Sequence, residues 1–179
     1  MPSYVALVRG IGPGDPRKSN ESLRGVLTEL GFGNVRSVIS SGNVLFEDDS
    51  TDTEELGDRI EAAWPQLRGF TATTVVRSRD QLVEVLAGSP FAAQPHGPST
   101  YQLVTFFKHP VELGVELPHR PENGSFTVDG YRQGALFSLT DTTVASSLDV
   151  MGWIERTFGK ENTSRTPRTV QRIIDRLAG

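Results

Sequence analysis

The order of apolar patterns in the first 78 residues constrains the fold more than any other feature of the chain. Four short runs rich in apolar and β-branched residues, typical of strands, are separated by segments whose apolar residues recur at helical spacing. The first helical segment follows the capping residues Ser19 or Asn20, and the second covers residues 54–64, with Pro65 past its end. The strands are predicted at residues 4–9, 35–39, 43–47 and 71–77.

The order strand–helix–strand–strand–helix–strand is that of a ferredoxin-like subdomain, a four-stranded antiparallel sheet of order 4-1-3-2. The second half of the chain follows a similar order and adds a helix that begins at Pro167, capped by Thr166. Its other elements are predicted as strands at 101–107, 125–131, 133–139 and 162–165, and as helices at 111–117 and 148–158.

The sequence therefore predicts an α+β protein of two ferredoxin-like subdomains, each an antiparallel sheet with helices packed on one face, plus a C-terminal helix. The predicted subdomains are residues 1–78 and 101–179, joined by a connecting helix and a proline- and glycine-rich linker at residues 79–100. The halves share no residue-level repeat, so a duplication is inferred from the order of elements alone.

Composition excludes several classes of function. The chain has no cysteine, which excludes disulfides, thiolate metal sites and cysteine nucleophiles, and its three histidines share no metal-ligand spacing. No cofactor or metal is therefore predicted. The net charge of −4 does not favour nucleic acid or an anionic membrane as a partner, and no apolar run is long enough to span a bilayer. A cytoplasmic protein is expected.

A glycine-rich loop follows the first strand, at residues 10–16. It does not match a phosphate-binding loop, because Arg17 stands at the second glycine position and Pro13 and Pro16 remove backbone donors. It does not match a dinucleotide fingerprint either, because Asp15 stands where glycine is needed. A surface loop and a looser anion site at the start of the first helix both remain open.

The predicted topology places the end of strand 1 beside the start of strand 3. Arg9 and Gly10 would then meet Ser41, Gly42 and Asn43, close to Gly12 in the loop that follows strand 1. A guanidinium, a hydroxyl, an amide and free backbone N–H groups suit a phosphate or carboxylate. The alternative is structural: Ser41 and Asn43 satisfy turn backbone, and Arg9 pairs with a carboxylate.

Five stretches of the chain resemble the Domain of Unknown Function 1697 family. Tyr-Val-Ala-Leu-Val-Arg-Gly-Ile at residues 4–11 is similar to the family's opening strand and turn, and Ser-Gly-Asn-Val-Leu-Phe at residues 41–46 to its second hallmark. The other similar stretches are residues 89–91, 101–106 and 163–170. The resemblance runs over nearly the whole chain and implies two ferredoxin-like subdomains in a bacterial cytoplasmic protein. It implies no activity.

The sequence departs from the family pattern at two places. Thr166-Pro167 follow Arg165 where the family has Asn-Trp, and residues 12–15 replace an Asn, a Val and paired glycines. Arg165, the arginine of the closing motif, is included in the predicted ligand site with the residues at the strand 1 and strand 3 edge.

Three functions remain open at this point. The first is binding of a small anionic molecule, carrying phosphate or carboxylate, at the strand 1 and strand 3 edge. The second is an enzyme acting there on a phosphorylated metabolite, with Arg9 and Asn43 binding the oxyanion. The third is an interaction module that uses exposed sheet or the last helix, where Arg168, Arg172 and Arg176 form a stripe that is either solvated or an anion contact. Strand 3 lacks the aromatic pair of an RNA-recognition domain.

Overall fold

The structure, a computed structural model, describes residues 1–40, 42–93 and 97–179. Ser41 of the predicted site and residues 94–96 of the predicted linker lie outside them. In the first half the elements are β1 (Ser3–Val8), α1 (Asn20–Glu29), β2 (Gly33–Ser37), β3 (Asn43–Glu47), α2 (Thr53–Arg68) and β4 (Thr74–Ser78). They continue with α3 (Arg79–Ala87), β5 (Thr100–Phe107), β6 (Phe126–Arg132), β7 (Ala135–Asp141), α4 (Ser147–Phe158), β8 (Asn162–Arg165) and α5 (Pro167–Leu177).

The strands form two four-stranded antiparallel sheets. The first sheet has the order β2-β3-β1-β4 and the second the order β6-β7-β5-β8. Both correspond to the predicted order 4-1-3-2, counted within each half. The predicted α+β class, with antiparallel sheets and a C-terminal helix, is confirmed.

The second half differs from the first in its first crossover. The helix predicted at residues 111–117 is wrong, because the segment between β5 and β6 contains no helix. Gly114 lies in the middle of the predicted helix and disfavours it, and alternate side chains such as Val111 and Leu113 pack against the core instead. The segment ends in an extra bridge in which His119 and Val128 exchange backbone hydrogen bonds of 2.9 and 2.8 Å.

Helix α2 is longer than its sequence pattern predicts. The prediction that Pro65 lies past its end is wrong, since the helix continues through Pro65 to Arg68 and is capped by Gly69 at φ 74°. Interior proline costs about 3 kcal/mol. Burial offsets this cost, because Trp64 is fully buried, stacks on Phe70 and donates a 2.8 Å hydrogen bond to Thr74 Oγ1.

Three apolar clusters arrange the sheets and helices in layers. One lies between the first sheet and α1 and α2, and another between the second sheet and α4. These helices each cover one face of a sheet, as expected. The third cluster joins the opposite faces of both sheets through α3 and α5, with residues such as Leu7, Val85, Phe106 and Ile173. The two halves therefore share one core, and the division into residues 1–78 and 101–179 stays a prediction.

Across the described ranges, no helix has both the length and the hydropathy needed to cross a membrane.

Candidate functional site

The end of β1 lies between the starts of β3 and β4. Leu7 is paired with Asn43, and the next backbone N–H groups, of Val8 and Arg9, donate 2.9 Å hydrogen bonds to the carbonyls of Gly42 and Thr73. Arg9, Gly10, Gly42 and Asn43 are thus neighbours, as the predicted topology requires.

Arg9 connects this edge to the second half of the chain. Its Nη1 donates to the carbonyl and to Oδ1 of Asn162 at 2.9 and 2.8 Å, and its Nη2 forms an ion pair with Glu155. A quarter of the side chain remains exposed. Arg9 therefore has a carboxylate partner and still lines the protein surface.

Arg165 reaches the same edge from β8. Its five N–H donors all have acceptors at 2.7–3.2 Å, which are Asn43 Oδ1, Thr163 Oγ1 and the carbonyls of Ser164, Val8 and Gly42. Burial lowers the pKa of Arg165 to about 10. Arg165 thus holds the last residue of β1 and the first residue of β3 against β8.

Asn43 and Gly42 complete this frame. The Asn43 side chain is fully buried, and its Nδ2 donates to the carbonyl of Val38 at 3.1 Å. Gly42 has φ 73°, and a Cβ there would lie 2.8 Å from Ile11 Cγ1 and 3.0 Å from the Val8 carbonyl. Only glycine fits this position without strain.

Gly12 is separated from the Arg9 cluster. It is exposed and lines a groove of about 540 Å³ formed by the glycine-rich loop and the start of α1. Ser19 caps α1 by accepting a 3.1 Å hydrogen bond from the Ser22 N–H. The structure thus brings together Arg9, Gly10, Gly42, Asn43 and Arg165, whereas Gly12 lies in the neighbouring groove.

A second groove, of about 510 Å³, opens directly beside Arg9 and Gly10. Its wall adds two cations that sequence analysis did not place in the site, Lys18 and Lys160. The ammonium of Lys18 lies 5.3 Å from the centre of the Phe70 ring. The only sequence signal for these two lysines was their position, just after the glycine-rich loop and just before β8.

One acidic side chain, Glu61, also lines this groove. Its Oε2 lies 2.6 Å from the ammonium of Lys108, and its Oε1 accepts a 2.7 Å hydrogen bond from the Thr74 N–H. Lys108 is only 4% exposed and also contacts Asp58 at 2.9 Å. Burial by itself lowers the pKa of Lys108, but the hydrogen bonds and charges of Glu61 and Asp58 outweigh it, so the pKa is raised.

A metal site is not supported by the arrangement of the described side chains. In the parts of the chain that the structure describes, no group of three or more His, Asp or Glu side chains is placed to hold a metal ion.

Comparison with solved structures supports the fold. The chain is similar to the conserved bacterial protein SP0830 from Streptococcus pneumoniae, with 19% sequence identity and a TM-score of 0.72, over 100% of this chain and 99% of that one. At this identity the likeness shows the fold alone. No curated protein matches the sequence.

The family comparison covers the region that contains β1, β3 and the Arg9 edge. Residues 1–123 match the model of the family described as "Protein of unknown function (DUF1697)". The chain belongs to the DUF1697 family.

Proposed function

We propose that this protein binds a small anionic ligand, carrying phosphate or carboxylate groups, in the groove beside Arg9 and Gly10. The observation that carries the proposal is the convergence of Arg9, Lys18 and Lys160 on one groove of about 510 Å³. Three cations around a concave surface give a local field that favours an anion.

The balance of charge in the groove supports this proposal. Glu61 is ion-paired with Lys108, and Arg9 with Glu155, so the cations of the groove wall that remain without an ion pair in the described residues are Lys18 and Lys160. Lys18 and Lys160 have no carboxylate within ion-pair distance in residues 1–40, 42–93 and 97–179. Their ammonium groups are therefore available to a ligand without breaking an ion pair.

The backbone adds a donor. Gly10 is exposed at φ 72°, and its N–H meets no hydrogen-bond acceptor in the described chain. A phosphate or carboxylate oxygen held by the lysines would accept from it.

The predicted site residues divide into two roles in this proposal. Arg9 and Gly10 contact the ligand, while Gly42, Asn43 and Arg165 hold the strand ends that position them. Gly12 and Ser41 stay in the predicted site: Gly12 lines the neighbouring groove, and Ser41 lies outside the described residues. We place the protein in the cytoplasm, which its cysteine-free sequence favours, and without a nucleic acid or membrane partner.

Calorimetric titration with pyrophosphate, inorganic phosphate and citrate tests the proposal. The Lys18→Gln/Lys160→Gln variant should weaken binding of the preferred probe about ten-fold or more. Arg79→Gln is the matched control, since Arg79 is exposed on α3 and outside the groove. These lysines are preferred to Arg9 as test positions, because removing Arg9 would also break its contacts with Asn162 and Glu155.

Binding of none of the three probes by the wild-type protein would overturn the proposal. Equal affinity of the wild-type and the double lysine variant would also overturn it, provided that both unfold at the same temperature.

A further inference from the structure

The orientation of α5 is fixed by its apolar side. Val170, Ile173, Ile174 and Leu177 are buried in the core shared by the two sheets. Consequently Arg168, Arg172 and Arg176 are exposed on the opposite side, at intervals of four residues. At the rise of an α-helix they form a row about 12 Å long, with about 6 Å between neighbours.

A groove of about 420 Å³ runs between the last turns of α5 and residues 37–40, the last residue of β2 and the three that follow it. Arg172 and Arg176 line it from the helix. Arg36 stands at its β2 side and donates a 2.8 Å hydrogen bond from Nη2 to the carbonyl of Arg176. On the α1 side, Arg24 donates a 2.8 Å hydrogen bond to Oγ of Ser37, another lining residue.

These four arginines have little compensating charge. None forms an ion pair with a carboxylate in the described part of the sequence. The single acidic side chain in the groove wall is Asp175, whose Oδ1 accepts a 2.9 Å hydrogen bond from Gln171. The surface is therefore strongly basic in a protein whose net charge is −4.

We infer that this arginine surface, formed by Arg24, Arg36, Arg168, Arg172 and Arg176, is a docking site for an extended acidic peptide segment of a partner protein. Guanidinium groups present paired donors that match carboxylate oxygens. Among the described residues that line the groove, the cations are arginines and none is a lysine. In an extended peptide, alternate side chains lie on one face about 6.7 Å apart. This spacing is close to that of the arginines along α5, so carboxylates at alternate positions can each face an arginine.

An extended nucleic acid has a similar charge but fits less well. Single-stranded nucleic acid is held by aromatic side chains on which bases stack. The exposed large apolar residues in the described chain include no aromatic side chain; they are Met1, Leu67, Val83, Val144 and Leu148. The net charge of −4 further disfavours a nucleic acid over a peptide.

Fluorescence anisotropy with a labelled peptide of alternating glutamate and serine tests the inference. The wild-type chain should bind this peptide, fail to bind the matching glutamine–serine peptide, and lose affinity as salt is raised. The Arg172→Gln/Arg176→Gln variant should bind about ten-fold more weakly or worse. The control variant Arg79→Gln/Arg156→Gln removes two exposed arginines from α3 and α4 and should bind as the wild type does.

Three results would overturn the inference: no binding of the glutamate peptide, equal weakening by both double variants, or tighter binding of a labelled oligouridine of the same length. Pyrophosphate titration of the Arg172→Gln/Arg176→Gln variant tests whether this surface is separate from the groove beside Arg9. The affinity for pyrophosphate in that groove should be unchanged, because neither arginine lines it.

Discussion

Arg165 donates a 2.7 Å hydrogen bond from Nε to Oδ1 of Asn43, a residue 122 positions earlier in the chain. Through this contact β8 of the second sheet holds the turn that begins β3 of the first. Other basic residues join the halves in a similar way. Arg9 bonds to Asn162 and Arg77 to the carbonyl of Phe107. Lys108 bonds to Glu61, and Arg36 to the carbonyl of Arg176. The halves are thus connected by polar contacts as well as by their shared apolar core.

Replacing Arg165 should strongly destabilise the protein. Arg165→Ala removes the five hydrogen bonds given above to described residues and leaves the buried Asn43 amide oxygen without this donor, so we expect a loss of about 3 kcal/mol in the free energy of unfolding. Urea denaturation of the wild type and the variant measures this change in the free energy of unfolding. Arg168→Ala, three residues further along and exposed, should change the free energy by less than about 0.5 kcal/mol.

A double-mutant cycle separates the Arg165–Asn43 contact from the other bonds of Arg165. The effects of Arg165→Ala and Asn43→Ala should be non-additive by about 1 kcal/mol or more, because the two side chains are in contact. Additive effects would show that the hydrogen bond contributes no net stability.

Gly42 and Gly10 provide a matched pair for testing how closely Ile11 and Val8 pack against Gly42, the residue before β3. Both have positive φ, 73° and 72°, so an added Cβ strains the backbone equally. Only at Gly42 would it also press on Ile11 Cγ1 and the Val8 carbonyl, at 2.8 and 3.0 Å. Gly10→Ala should cost about 1 kcal/mol and Gly42→Ala at least about 1 kcal/mol more, measured by urea denaturation. Equal costs would contradict the close approach of Ile11.

The Lys108 ion pairs predict a pH dependence of stability at alkaline pH. The folded-state pKa is raised above 10.5, so the charged form contributes its full stabilisation below that pH and loses it as the pH rises through the folded-state value. The difference in unfolding free energy between the wild type and Lys108→Met should therefore be constant from about pH 8 to pH 10 and shrink above it. A difference that grows above pH 10.5 would be inconsistent with this assignment.

Asp141 predicts the opposite behaviour in acid. Hydrogen bonds from the Thr143 hydroxyl and N–H lower the pKa of Asp141 below its ordinary value of 3.8. The stabilisation is present above that value and is lost as the pH falls through the folded-state pKa. Thermal unfolding midpoints of the wild type and Asp141→Asn should thus converge below pH 3.8, and midpoints that diverge there would exclude the effect.

Much of the fold could be predicted because its strands and helices have clear periodicities. The α5 pattern indicated both its buried side and its arginine row. The crossover after β5 could not be predicted well, because Val111, Leu113 and Leu117 fit a short helix about as well as an extended strand. Periodicity also shows that α3 and α5 have apolar sides, but not that these sides fill the space between two sheets.

The candidate site was predictable to the extent that it depends on strand order. The predicted antiparallel pairing of strands 1 and 3 places Arg9 close to Asn43. The position of Arg165 depends on packing between the halves, so the sequence indicated this residue only through the family resemblance. Lys18 and Lys160 were missed, because no local pattern relates two residues 142 positions apart. The enzyme alternative stays a prediction.

The position of α5 in the shared core has a consequence for synthesis on the ribosome. Val5 and Leu7 leave the ribosome long before α5, but the cluster that covers them includes Val170 and Ile173 of that helix. More than 160 further residues must therefore be translated before α5 can complete the packing on one apolar face of the first sheet. The nascent chain can form the α1 and α2 side early, while the opposite face is covered only in part, by α3, until α5 has emerged.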